Sequence, residues 1–159
     1  MASDLTRGAY SGRETYLYHN TGTNASPTWT ELVRARNIQT SDGPGLSEIE
    51  FHGANATANI PGYDKFSGSF EYVRRRGTDS VFSALVTAMR ARNPIELQFL
   101  NNEVTTDGAT GWRAPVLLGE FAENANGADG VVVTIPFALA DAYDANGDVV
   151  ELEDITISV

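Results

Sequence analysis

Lys65-Phe66-Ser67-Gly68-Ser69-Phe70-Glu71-Tyr72-Val73 is followed, after Arg74-Arg75-Arg76-Gly77, by Thr78-Asp79-Ser80-Val81-Phe82-Ser83-Ala84-Leu85-Val86-Thr87-Ala88-Met89-Arg90-Ala91-Arg92-Asn93 and then Pro94. The first part alternates: Phe66, Phe70 and Tyr72 on one face, Lys65, Ser67, Ser69 and Glu71 on the other. A period of two predicts a half-buried strand. In the second part Val81, Phe82, Leu85, Val86 and Met89 form one apolar stripe at helical spacing. Thr78 or Asp79 caps its start, Arg90 and Arg92 suit the negative end of the dipole, and Pro94 stops it. A single helix over about 78–92, with Val81, Phe82, Leu85 and Met89 as its core face, packed on β-structure, is the expected organising unit.

Outward from that unit the chain reads as strands and polar loops. Residues 1–13 are polar and glycine-containing, and are expected to form a flexible arm. Thr15 to Asn20 predicts a first strand. Thr28 to Ile38 follows Pro27 and is rich in strand formers, so it reads as a second. Gln39 to Gly45, with Asp42-Gly43-Pro44-Gly45, reads as a loop. Leu46 to His52 alternates, with Ile49 and Phe51 set against Glu48, Glu50 and His52. A short strand over Ala56 to Ile60 and a turn at Pro61-Gly62 are expected next. Beyond the helix, Ile95, Leu97 and Phe99 point to the core, and Glu96 and Gln98 point out. Asn101 to Gly111 is a polar loop. Arg113 to Ala122 is a strand with Val116, Leu118 and Phe121 inward. The turn at 124–130 makes a hairpin with the apolar strand Gly130 to Leu139, in which Pro136 signals an edge or a bulge. Asp144 to Asp148 is a turn, and Val149 to Val159 a last strand. The reading is mainly β: a sandwich or barrel of about 8–10 short strands with one flanking helix, in a single domain over 1–159.

The chain carries a net charge of -10 and no cysteine. That balance argues against a surface that grips nucleic-acid phosphates, and it excludes disulfide and thiolate-metal frameworks. The first residues have no apolar h-region, so no signal peptide is expected, and no stretch approaches the about 20 apolar residues of a membrane helix. Ten of the eleven basic residues are Arg. Arg74-Arg75-Arg76 suits inter-subunit or helix-flanking contacts better than a nucleic-acid patch in so acidic a chain.

The candidate sites for chemistry are weak. His19 and His52 lack further ligands at zinc spacing. Asp144-Ala145-Asn146-Gly147-Asp148 departs from a calcium loop, whose glycine is sixth and glutamate twelfth; Asn146-Gly147 is a hairpin turn. Glycine patterns for nucleotides and a nucleophile elbow are missing, and no spacing ties Ser, His and Asp into a triad. Glu48 and Glu50 share a strand face, which suits acid–base work but more often marks a solvated surface. No catalytic residue, metal or cofactor is expected. A competing reading is a secreted sandwich-type carbohydrate-binding module, with Tyr16, Tyr18, Trp29, Tyr63 and Trp112 stacking on sugar rings.

The order of parts resembles the phage tail tube (major tail) protein family, related to the tube proteins of contractile injection and type VI secretion systems. The resemblance rests on Trp29-Thr30-Glu31-Leu32, Phe66 to Tyr72, the helix Asp79 to Arg92, Ile95 to Phe99, Gly111 to Phe121 and Asp129 to Phe137, roughly residues 15 to 140. Residues 143–159 have no counterpart placed by it. It implies a β-sandwich or barrel that self-assembles into hexameric rings stacked as a hollow tube. It implies partners among terminator, tape measure, baseplate and sheath proteins, and a virion tail assembled in the host cytoplasm. DNA would pass without specific binding, and no membrane would be involved. If a tube forms, its channel should repel phosphates. Glu48, Glu50 and Glu71 are therefore expected to face the lumen.

Overall fold

The computed structural model describes residues 15–50, 53, 57–126 and 130–159, so the expected N-terminal arm, Phe51 and His52 lie outside the described residues. Along the chain run β1 (Tyr16–Asn20), β2 (Trp29–Glu31), β3 (Ala35–Glu50), β4 (Thr57–Val73), α1 (Ser80–Ala91), β5 (Ile95–Leu100), β6 (Thr110–Leu118), β7 (Ala122–Asn126), β8 (Gly130–Leu139), β9 (Ala142–Tyr143), β10 (Val149–Val150) and β11 (Glu153–Thr156). Among the described residues the chain is mainly antiparallel β with one helix, as the hydrophobic periods predict. It divides into two compact units. One comprises residues through Arg34, Asn93–Val116 and Ala140–Val159; the other comprises Ala35–Arg92 and Leu117–Leu139.

In the first unit the strands lie in the order β2-β1-β5-β6-β11, all antiparallel. Leu17, Leu97, Leu100, Ala114 and Val116 form its core. β5 is central, and this overturns one expectation: Gln98 does not point to water but is buried, and its Nε2 has no hydrogen-bond partner among the described residues. Its face is covered because Tyr18 and Arg113 flank it in register. Glu96, also expected outside, is half-buried and holds Arg113 at 2.6 Å. The loop before β6 is tied down, with Val104 N–H donating to the Tyr18 hydroxyl at 3.0 Å. The turn at 144–148 forms as expected, Asp144 Oδ1 accepting from the N–H groups of Asn146 and Asp148. The last strand is shorter than expected and pairs with β6, which gives residues 153–156 a place.

In the second unit the order is β3-β4-β8-β7. Phe66, Phe70, Tyr72, Val133, Ile135 and Phe137 are buried, with the Phe137 ring tilted against Phe66 and Phe70. β8 has a neighbour on each side, so Pro136 does not mark an edge strand. Pro136 sits beyond the last β7 pair at Thr134, and its carbonyl accepts from Gly119 N–H. α1 begins at Asp79, whose Oδ1 accepts from Phe82 N–H at 3.1 Å. The same carboxylate accepts from the Tyr72 hydroxyl and from Arg75 N–H, so the cap also ties the helix to β4. Leu85 is fully buried, Val81, Phe82 and Met89 are half-buried, and Phe82 stacks on Tyr72.

The largest departure is in β3 and β4. Residues 39–45 are strand rather than loop, Pro61-Gly62 is not a turn, and 35–50 and 57–73 make one long hairpin. Thr28 to Ile38 is not one strand: β2 ends at Glu31 and β3 starts at Ala35.

Candidate assembly surface

The β3–β4 hairpin changes character along its length. At its base β4 is held by β3 on one side and by β8 on the other over Ser67 to Val73. Beyond Ser67 it pairs with β3 alone. The outer part is a two-stranded ribbon of about 25 Å contour length, at the usual rise per residue. Leu46 is 68% exposed there and Tyr63 93%. Asp42, Glu48, Glu50 and Asp64 stand on this ribbon against a single cation, Lys65.

The ladder slips twice, between Arg36 and Gln39 and between Pro44 and Leu46. At the second slip β4 spends one residue more than β3, a bulge, and its alternation changes face. Along β3 the alternation continues, so Leu46, Glu48 and Glu50 fall on the face of Asp42, opposite Phe66. Glu71 falls on the other face, with Ser67, Ser69 and their β8 partners Ala138 and Pro136. The three carboxylates expected to act together are thus not brought together. Glu71 accepts from Arg36 Nε at 3.0 Å and Asn37 Nδ2 at 2.7 Å, and Glu48 accepts from the Thr57 hydroxyl.

A groove of about 590 Å3 lies beside α1. Its floor is Phe82, Val86, Met89, Phe121 and Val133, and Arg74, Arg90 and Glu123 stand among its lining. Arg74 donates to Glu123 Oε1 at 2.6 Å and lies over the Phe82 ring at 4.8 Å. Arg75, Arg76 and Arg92 are exposed in the flanking segments. Period and spacing offered no signal for the Arg74–Glu123 pair, which joins residues far apart in the chain. The exposed arm was visible in principle, as two alternating runs either side of the small residues at 53–56.

The remaining candidates do not converge. His19 is buried in β1 beside Thr30 and Leu97, and desolvation lowers its pKa. Burial likewise raises the Tyr18 pKa, opposed by the Val104 hydrogen bond. Tyr16 stacks on Tyr18, Trp112 on Phe99, and Arg113 covers Trp29, so these four aromatic residues of the expected sugar platform are engaged in packing contacts within the unit. Among the described residues no group of three or more His, Asp or Glu is placed to hold a metal, and no helix is long and apolar enough to cross a membrane.

Against solved structures this architecture matches the SPP1 tail tube with a TM-score of 0.68, at 12% identity, over 93% of this chain and 80% of that one. This chain has the tail tube fold. A chain in the tail of an empty gene transfer agent particle, refined with C6 symmetry, matches with a TM-score of 0.61 at 12% identity, over 84% of this chain and 96% of that one. A chain of an extracellular contractile injection system's sheath–tube complex matches at 0.55 and 9% identity, over 89% and 88%. The tail tube fold is thus shared at identities where sequence alone carries little: no family model matches the chain, and no curated protein does.

Proposed function

We propose that this chain is a structural tube subunit, one tail-tube-like domain over 1–159, that assembles into hexameric rings stacked as the hollow tail tube of a phage or phage-like particle. The observation that carries the reading is the fold match to the SPP1 tail tube over 93% of the chain. The C6 symmetry of the gene transfer agent tail supports the hexamer. Partners would be other tail components, terminator, tape measure and baseplate, and a sheath if the tail contracts. An inner-tube role in an injection system is the second reading, favoured by the sheath–tube match. The particle would be assembled in the host cytoplasm.

The channel follows from charge. A duplex moves through a tube only if the wall does not hold its phosphates, and a chain of net charge -10 supplies a repelling field. Of the three carboxylates first expected at the lumen, Glu71 is the one we retain, on the polar face with Ser67, Ser69 and Thr134. Glu48 and Glu50 lie on the opposite face of the ladder. Concentrated protein viewed by negative stain should show rings or tubes with a central channel. A strictly monomeric species by light scattering, at millimolar concentration, would overturn the reading.

A further inference from the structure

We infer that the groove beside α1 receives the outer β3–β4 hairpin of a second copy of this chain, with Leu46 seated on the apolar floor and Glu48 and Glu50 held by the rim arginines. The inference rests on the tube reading and adds to it a specific pair of surfaces.

The arm needs a cover. A ribbon of two strands is marginal in water, its open edges invite pairing, and a bare leucine and tyrosine on it are best explained by burial elsewhere. Leu46, Glu48 and Glu50 share one face, an apolar residue followed two and four positions on by carboxylates. The groove presents the complement. Phe82, Val86 and Met89 make an apolar floor, and Arg90 on the rim makes no hydrogen bond or ion pair among the described residues. Arg75, Arg76 and Arg92 add positive charge around it, so this side of an acidic chain is locally basic. Opposite fields of this kind steer association and fix register. A free phosphate or a DNA backbone would answer the arginines and leave the apolar floor wet. The arm answers both. Among the described residues the lining contains none of 35–50 or 57–65, and Leu46 stays exposed, so the described part of the chain's own arm does not fill the groove. The occupant is therefore another copy.

The chain has no cysteine, so a designed pair reports cleanly. A chain carrying Leu46→Cys, mixed with a differently tagged chain carrying Thr87→Cys, should give a mixed disulfide on oxidation during assembly. Val33→Cys in place of Thr87→Cys, exposed in the other unit, should not. Independently, Glu48→Arg with Glu50→Arg should raise the protein concentration needed for assembly by on the order of tenfold or more. Arg90→Glu should do the same, and joining Arg90→Glu to Glu48→Arg should restore part of the loss. Tubes that form with no 46–87 adduct, or with the reversed arm at the unchanged threshold, overturn the docking and leave the tube reading standing. A wild-type chain that never assembles overturns the tube reading and the docking with it.

Discussion

The two halves of the β3–β4 hairpin share a backbone ladder and differ in everything that stabilises it. At the base, β4 is flanked by β3 and β8, and Phe66, Phe70 and Tyr72 are buried against Phe137, Ile135 and the helix. In the outer half β3 is the sole neighbour, and Leu46, Ile60 and Tyr63 face water. Hydrogen bonds contribute little net free energy when water can replace them, whereas fully burying a phenylalanine contributes about 1.5–3 kcal/mol. The base is therefore held by the subunit itself, whereas within the subunit the outer half has only the β3–β4 ladder, and the proposed docking would supply the rest.

Substitutions should separate the halves. Phe70→Ala at the base should cost about 3–5 kcal/mol in denaturant unfolding, since the side chain is wholly buried. Leu85→Ala should cost about 2–5 kcal/mol, and a value under about 1 kcal/mol would mean that the stripe on α1 is not core. Asp79→Ala should cost about 1–2 kcal/mol, losing the cap and leaving the Tyr72 hydroxyl without its carboxylate. His19 supplies a pH effect on the framework. Its folded pKa lies below the unfolded value of 6.5, so its contribution is complete above 6.5 and is lost as pH falls below it. His19→Gln should make the loss of stability between neutral and mildly acidic pH shallower. Leu46→Ser and Tyr63→Ser should change monomer stability by less than about 0.5 kcal/mol. A large effect from either would show that the outer arm is already packed in the monomer.

The same contrast explains what the sequence disclosed. The alternation at Phe66 to Tyr72, the stripe Phe82-Leu85-Met89 and the strand Gly130 to Leu139 were legible because each buries one face against a single layer. Gln98 was misread because a period of two in one strand does not show which side chains the neighbouring strands place beside it, here Tyr18 and Arg113. Pro44 and Pro61-Gly62 read as turns, yet the strands run through them. In a ribbon each strand has a free edge, where a missing N–H costs nothing and a bulge absorbs the slip. Gly43, at φ 146°, takes a backbone shape that most residues avoid, beside that slip. Glu48 and Glu50 are separated from Glu71 by the register that sets Asp42 opposite Phe66, and the alternation of neither strand alone contains that pairing.

The central claim is that the outer hairpin is completed by a second copy. Backbone hydrogen exchange on the dilute subunit and on assembled material tests it most directly. The claim predicts that amides of 41–50 and 57–65 exchange rapidly in the dilute subunit and become strongly protected on assembly, while those of 67–73 are protected in both. Equal protection of the outer arm in the two states, or its continued rapid exchange within assembled tubes, would contradict it.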